Sequence, residues 1–309
     1  MPELPEVETT KASLAPLLDQ KITEVEVFQP QLRWSMPPDL TLLKGYYLQS
    51  VDRRAKYLIL TFVPSSSTQS DSNVLTDTTE RSAAKKLLIH LGMSGSLQQY
   101  PEGMAKRKHD HLILTFNDIN NLSTQLHYHD PRRFGSILWY EDYATKLLEH
   151  LGLEPLSKDF TADYLYQLIQ RTSPSNLIAK STKKYQPIKK AIKSVIMDQQ
   201  VVVGVGNIYA AESLYLSGIH PATPADQLSY GQVSLLVAHI KSILEKAIQL
   251  GGSTLRDFTV ASGQTGYFQQ TLNVYGRQGE PCIRCETILE NIKLNGRASI
   301  YCAKCQPLP

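Results

Sequence analysis

The stretch Cys282–Cys305, CIRCETILENIKLNGRASIYCAKC, decides how the C-terminal part of this chain folds. It holds all four cysteines of the protein, as two C-x2-C pairs separated by 16 residues. Each close pair suits a tight turn that offers two thiolates, and the spacing predicts a four-thiolate tetrahedral zinc site. Two disulfides are the competing reading, but nothing else in the sequence points to the oxidising compartment they need. Four thiolates close the coordination shell. The zinc is therefore expected to be structural, and no metal catalysis is expected.

Working outward, the chain has 309 residues and 42% hydrophobic content, enough for two globular domains with their own cores. No run of about 18 apolar residues occurs, and the N-terminus lacks the basic and apolar regions of a secretory signal, so an intracellular protein without membrane contact is expected. Net charge is +3, unevenly spread. Arg171 to Lys193 holds seven Lys or Arg and no acid, and Lys106-Arg107-Lys108 and Arg53-Arg54 form smaller clusters. Such clusters are solvated faces or contacts to a polyanion, and charge alone leaves both open.

Apolar periodicity divides the chain. Val7, Leu14, Leu17 and Leu18 recur at helical spacing, then strand-like runs follow at Val25 and Val27, Tyr57 to Phe62, Leu87 to Leu91, Leu112 to Phe116 and Ile137 to Tyr140. Between them Pro64 to Ala84 is too polar to pack and is expected to be a long mobile loop. After Tyr143 helical spacing takes over, in Phe160 to Arg171, Pro187 to Asp198, Ile208 to Ser217 and Tyr230 to Leu250. Gly152 and Pro155 suit a linker between the halves. No internal repeat is visible.

Two further stretches carry chemistry. MPELPEVETT at 1–10 reads either as a capped helix start or, with Met1 removed, as a free secondary amine on Pro2 able to attack a carbon and form an imine. Val203-Gly204-Val205-Gly206-Asn207 precedes a helix; it is a turn chosen for its backbone angles or one that aims amides at a phosphate, with Lys189, Lys190 and Lys193 nearby.

Taken in order, PELPEVE (2–8), RRAKYL (53–58), HLGMSGSL (90–97), KHDH (108–111), DPRRFG (130–135), VVGVGNIYAAESL (202–214), GYF (266–268) and the four cysteines make the chain resemble the formamidopyrimidine-DNA glycosylase family over nearly its whole length. The resemblance implies an α+β multidomain enzyme. Its N-terminal β-sandwich with a catalytic N-terminal helix would span 1–141, including the 64–84 insertion, followed by a linker at 142–158. A helix-two-turn-helix domain would span 159–265 and the four-cysteine zinc finger 266–309. The implied activity is excision of oxidised purines such as 8-oxoguanine and formamidopyrimidines from duplex DNA, by a monomer in the bacterial cytoplasm at the nucleoid, with β,δ-elimination after base loss.

Resemblance also distributes roles. Pro2 matches the nucleophile; an α-amino group with a pKa of roughly 7.7 to 8.0 is partly neutral near pH 7, whereas a lysine near 10.4 needs strong depression. Glu3 matches the essential carboxylate that shuttles protons to the sugar, and Glu6 lies one turn further along. Lys56 matches a phosphate or proton-handling contact, and His90, Lys193, Asn207 and Arg297 match phosphate contacts. Met93, Arg132 and Phe134 match the side chains that fill the hole left by an extruded base. Cys282, Cys285, Cys302 and Cys305 hold the zinc. The chain departs from the family at Arg256, where lysine is common, and in the Pro64–Ala84 insertion; Thr265 falls in a segment aligned with the loop over the flipped base. Two rivals remain: an enzyme of the same superfamily that removes oxidised pyrimidines, and a non-catalytic DNA-binding protein on the same scaffold.

Overall fold

The computed structural model describes residues 2–64, 83–172, 186–252 and 272–309. They form two compact units, Met1–Glu149 with Gly251–Tyr267 and His150–Leu250 with Phe268–Pro309.

The first unit opens with helix α1 (Leu4–Ser13), where Pro5 suits the first turn and Leu4 and Val7 are buried. Strands β1 (Lys21–Val27), β2 (Tyr46–Arg54), β3 (Tyr57–Pro64), β4 (Lys85–His90), β5 (Ser96–Pro101), β6 (Asp110–Asn117), β7 (Ser123–His129) and β8 (Ser136–Trp139) follow. They pair in the order β5-β7-β6-β1-β2-β3-β4-β8. The join between β1 and β2 is narrow, at Lys21↔Tyr47, and the sheet bends there into two halves. Leu112, Leu114, Phe116 and Leu126 from one half share a buried cluster with Leu48, Leu58, Leu60, Phe62, Leu87 and Ile89 from the other. The expected sandwich is the result, with alternate residues of β3 supplying its inner face.

β3 and β4 pair from Tyr57↔His90 to Phe62↔Lys85. The polar insertion leaves from the Pro64 end of that pair, and except at its ends the expected loop at 64–84 lies outside the described residues. Helix α2 (Tyr140–Leu148) follows β8 without a break and runs into the span expected as linker, 142–158, with Glu141 and Asp142 in its first turn. Trp34 meets Tyr143 edge-on at 5.0 Å and Lys146 lies over the same indole, which holds α2 to the first unit.

The second unit contains α3 (Ala162–Gln170), α4 (Ile192–Ile196), α5 (Asn207–Leu216) and α6 (Tyr230–Gln249). Thr161 caps α3, and Ser229 with Gln232 forms a reciprocal cap on α6. Helix α5 is buried nearly all round, from Ile208 to Tyr215. Its Glu212 carboxylate is wholly buried and accepts the backbone amides of Asn273, Val274 and Tyr275 and the Asn273 side-chain amide, pinning the chain as it enters the cysteine-bearing segment. Strands β9 (Glu290–Leu294) and β10 (Arg297–Tyr301) form a hairpin there. Its turn is Asn295-Gly296, at φ 46° and 77°, the pair of left-handed residues that a two-residue hairpin favours. No helix among the described residues is long and apolar enough to cross a membrane.

Candidate active site

At the start of α1 the helix-start reading of MPELPE is met by a reciprocal cap between Glu3 and Glu6. Glu6 Oε2 accepts the backbone N–H of Glu3 at 2.8 Å, so Glu6 serves as a helix cap. That bond ties down the backbone immediately after Pro2. Glu3 is itself buried, only 4% exposed. Gly252, at φ +80°, closes against this cap: a Cβ there would lie 3.3 Å from Glu6 Oε1.

Lys56 belongs to the two-residue turn between β2 and β3, and is 8% exposed despite its charge. His90 ends β4 and stacks obliquely on Tyr57 at 4.8 Å. Burial, then the charges of Lys56 and Arg33, lowers the imidazole of His90 to about 4. Its Nδ1 faces the Gly92 N–H at 3.0 Å, so the neutral ring accepts there and carries its proton on Nε2.

Met93, Arg132 and Phe134 are all exposed, Met93 at 38% and Phe134 at 46%. Arg132 stacks its guanidinium on the Phe134 ring at 5.1 Å. The loops that carry them pack backbone to backbone. Gly92 sits at φ +65° so close to the second loop that a Cβ would lie 2.4 Å from the Phe134 carbonyl carbon. Between the loops lies Asp130, fully buried. Its Oδ1 accepts Ser94 Oγ at 2.7 Å and the Arg132 amide at 3.3 Å, and its Oδ2 accepts the Gly135 amide at 2.9 Å. Sequence reasoning quoted both motifs but missed the part played by Asp130 and Ser94. The available signal was an acid directly before Pro131 in a loop of exposed cations, a place where a carboxylate usually organises a turn.

In the second unit Asn207 opens α5 after the extended Gly206, and its buried Oδ1 has no hydrogen-bond partner among the described residues. A helix N-terminus with an unsatisfied side chain can take up an anion or a water. Arg297 follows the Asn295-Gly296 turn and is exposed. It lines a cavity of about 250 Å³ together with Lys190, Lys193, Ser194 and Asn295. Lys193, expected as a phosphate contact, is 1% exposed, and its ammonium donates to Ser299 Oγ at 2.9 Å and to the Ala298 carbonyl at 3.2 Å, both on the strand that carries Arg297.

The four cysteine sulfurs lie within 4.8 Å of one another. Cys285 Sγ is 3.4 Å from those of Cys302 and Cys305, and Cys282 Sγ is 3.9 Å from that of Cys305. A tetrahedron with Zn–S bonds of about 2.3 Å has edges of about 3.8 Å, so the cage fits a single structural zinc. Backbone amides of Arg284 and Cys305 point at Cys282 and Cys302, each at 3.4 Å. The Tyr215 hydroxyl stands 3.2 Å from Cys282 Sγ, and burial, then that neighbour, raises the phenol so that it remains a donor to the thiolate. Arg256, Thr265 and the segment 260–268 lie outside the described residues.

Comparison with known proteins matches these parts separately. A Formamidopyrimidine-DNA glycosylase N-terminal domain matches residues 1–137, a Formamidopyrimidine-DNA glycosylase H2TH domain residues 151–259, and a zinc finger found in FPG and IleRS residues 279–308. The chain is 68% identical to the formamidopyrimidine-DNA glycosylase of Psychrobacter arcticus, covering 100% of this chain and 99% of that one. It is 52% identical to the enzyme of the same name from Acinetobacter baylyi, over 100% and 99%. Among solved structures, a mutant Lactococcus lactis FPG bound to Fapy-dG-containing DNA superposes with a TM-score of 0.79 at 33% identity, covering 99% of this chain and 100% of that one. The wild-type protein of that organism, solved with DNA containing an oxidised pyrimidine, gives 0.78 at the same identity and coverage.

Proposed function

Because the chain belongs to the formamidopyrimidine-DNA glycosylase family, we propose that it acts as a monomer that removes oxidised purines from duplex DNA through an imine on Pro2 and then cleaves the strand. Glycosylase action on damaged DNA follows from the membership. The observation that supports this chemistry is the reciprocal cap at the helix start, in which the buried Glu3 and Glu6 carboxylates each accept the other's backbone N–H and so order the backbone that carries Pro2.

In this reading the neutral Pro2 amine attacks the sugar C1′, the bond from C1′ to the base breaks, and the base departs with a proton. Glu3 moves the proton at the ring oxygen as the sugar opens and the iminium forms. The iminium acidifies the neighbouring C2′–H, so successive eliminations release the 3′ and the 5′ phosphate and leave a one-nucleotide gap. Water then frees Pro2.

The remaining residues bind and orient. Lys56 contributes an ammonium already shielded from bulk water, and His90 contributes a neutral Nε2–H donor to a phosphate oxygen. Arg297 and Asn207 grip the backbone from the second unit and read no sequence. Met93 and Phe134 are the apolar wedge for the vacated stack, and Arg132 offers a donor fork to the orphaned base. The zinc shapes the hairpin beneath Arg297.

Borohydride reduction of the reaction should trap a covalent protein–DNA adduct that peptide mapping places at Pro2. Retained Met1 should abolish trapping yet spare binding. An adduct at an internal lysine of the processed protein, or full activity with Met1 attached, overturns the mechanism. Faster excision of thymine glycol than of 8-oxoguanine in one duplex context would move the substrate class to oxidised pyrimidines.

A further inference from the structure

The turn that carries Lys56 is held in a costly shape by contacts that begin on α1. Two-residue hairpin turns favour glycine or asparagine where φ is positive. Here the turn is Ala55-Lys56, and Ala55 sits at φ +53°. Such outliers persist only where the surroundings impose them.

Arg53 and Glu8 form part of those surroundings. Arg53 Nη1 donates to the Ala55 carbonyl at 2.8 Å, and Arg53 Nε donates to Glu8 Oε2 at 2.6 Å. The other Glu8 oxygen takes Lys11 Nζ at 3.0 Å. Arg53 is only 11% exposed, so this is a packed guanidinium with both edges engaged rather than a surface pair. Burial raises the Glu8 carboxyl, but Arg53 and Lys11 bring it below its ordinary value, so it stays charged at neutral pH.

We propose that Glu8 and Arg53 are positioning residues that lock the Ala55-Lys56 turn to α1, and so fix the Lys56 ammonium relative to the helix whose head carries Pro2. The proposal rests on the roles given above to Pro2 and Lys56. Without the brace the turn relaxes, and the ammonium, now near enough to His90 to depress its imidazole, samples a wider arc. The loss falls on the chemical step, because His90, Arg132 and Phe134 sit on other strands and loops and still hold the DNA.

The test uses the full-length processed protein in single-turnover excision of 8-oxoguanine, with DNA affinity measured by titration. Glu8→Ala keeps a good helix former, and Arg53→Lys keeps the charge but cannot reach both partners. Each should slow excision about tenfold, with affinity unchanged within about twofold. Added to Lys56→Gln, Glu8→Ala should cost less than about twofold, since the brace then has nothing to position. Wild-type rates for both single variants overturn the proposal. So does an equal loss from Glu8→Ala with and without Lys56, which marks general weakening of the fold. Lys56→Gln at the wild-type rate removes the premise itself, a failure recognisable without either brace variant.

Discussion

Replacing Asp130 by asparagine tests whether one carboxylate shapes both exposed loops. The carboxylate accepts Ser94 Oγ and the Arg132 amide on one oxygen, and the Gly135 amide and the Tyr128 hydroxyl on the other. Asparagine keeps one acceptor oxygen. With that oxygen toward Ser94 and Arg132, its NH2 group meets the Tyr128 hydroxyl, which can turn to accept, and the Gly135 N–H, which cannot. A buried amide without an acceptor costs about 1–3 kcal/mol, and removing the charge weakens the surviving bonds by about 1 kcal/mol in total. The sum is about 3 kcal/mol, which lowers the melting temperature of a unit this size by about 6–12 °C in scanning calorimetry. The loops should also lose register, so discrimination among bases opposite the lesion should fall to the level of Arg132→Ala while binding to undamaged duplex stays unchanged. A melting temperature within about 2 °C of wild type, less than 1 kcal/mol on this scale, or an equal loss against every opposing base, would refute the reasoning.

The neutral His90 has a pH signature. Its folded pKa of about 4 lies below the ordinary 6.5, so the unfolded chain takes up the proton first as pH falls. The associated stability is complete above about pH 6.5 and is lost on the way down to about pH 4, up to the order of 3 kcal/mol. The difference in melting temperature between wild type and His90→Gln, which keeps an acceptor for Gly92 but cannot titrate, should shrink across that window, and a constant difference rejects the assignment. For the zinc, metal analysis should find one ion per chain. Chelation or Cys282→Ser should unfold the β9–β10 hairpin and sharply weaken DNA binding, because apparent zinc binding of about 10–16 kcal/mol exceeds what so small a hairpin can replace. Intact binding by the metal-free protein would contradict this.

What could be read from the sequence depended on whether burial and hydrophobicity coincided. They do in β3, β6 and α5, and those elements stand where the apolar pattern put them. They do not in β5, SLQQYP, where Ser96 and Gln98 are buried because Gln98 bonds Ser96, Tyr100 and Arg107. Nor do they in β7, where His127 is wholly buried against Asp110. Burial raises that carboxyl, but bonds from His129, Arg107 and His127 hold it well below the usual range, so the polar cluster sits in the sheet as a charged group with its partners. Helix α4 is shorter than its periodicity suggests because tertiary contacts take its leading donors: the Ile192 amide goes to the Thr223 carbonyl and the Lys193 amide to that of Pro221. Within the candidate site, motif resemblance supplied the residues proposed to face DNA. The residues that hold them, Asp130, Arg53 and Glu8, became legible only from hydrogen bonds.

The strand pair β3–β4 presents Lys56 and His90 at one end, while the added segment departs and returns at the other. Five strand steps of about 3.3 Å separate the two ends by about 17 Å. Register in this pair is set by Leu58, Leu60 and Phe62 in the core, so the length of chain inserted beyond Pro64 has no leverage on the turn at Ala55-Lys56. The turn that bears Lys56 and the attachment points of the added segment are thus opposite ends of one strand pair. Under the proposed Pro2 chemistry, a fluorophore or affinity handle that would block the amino terminus belongs at this far end instead.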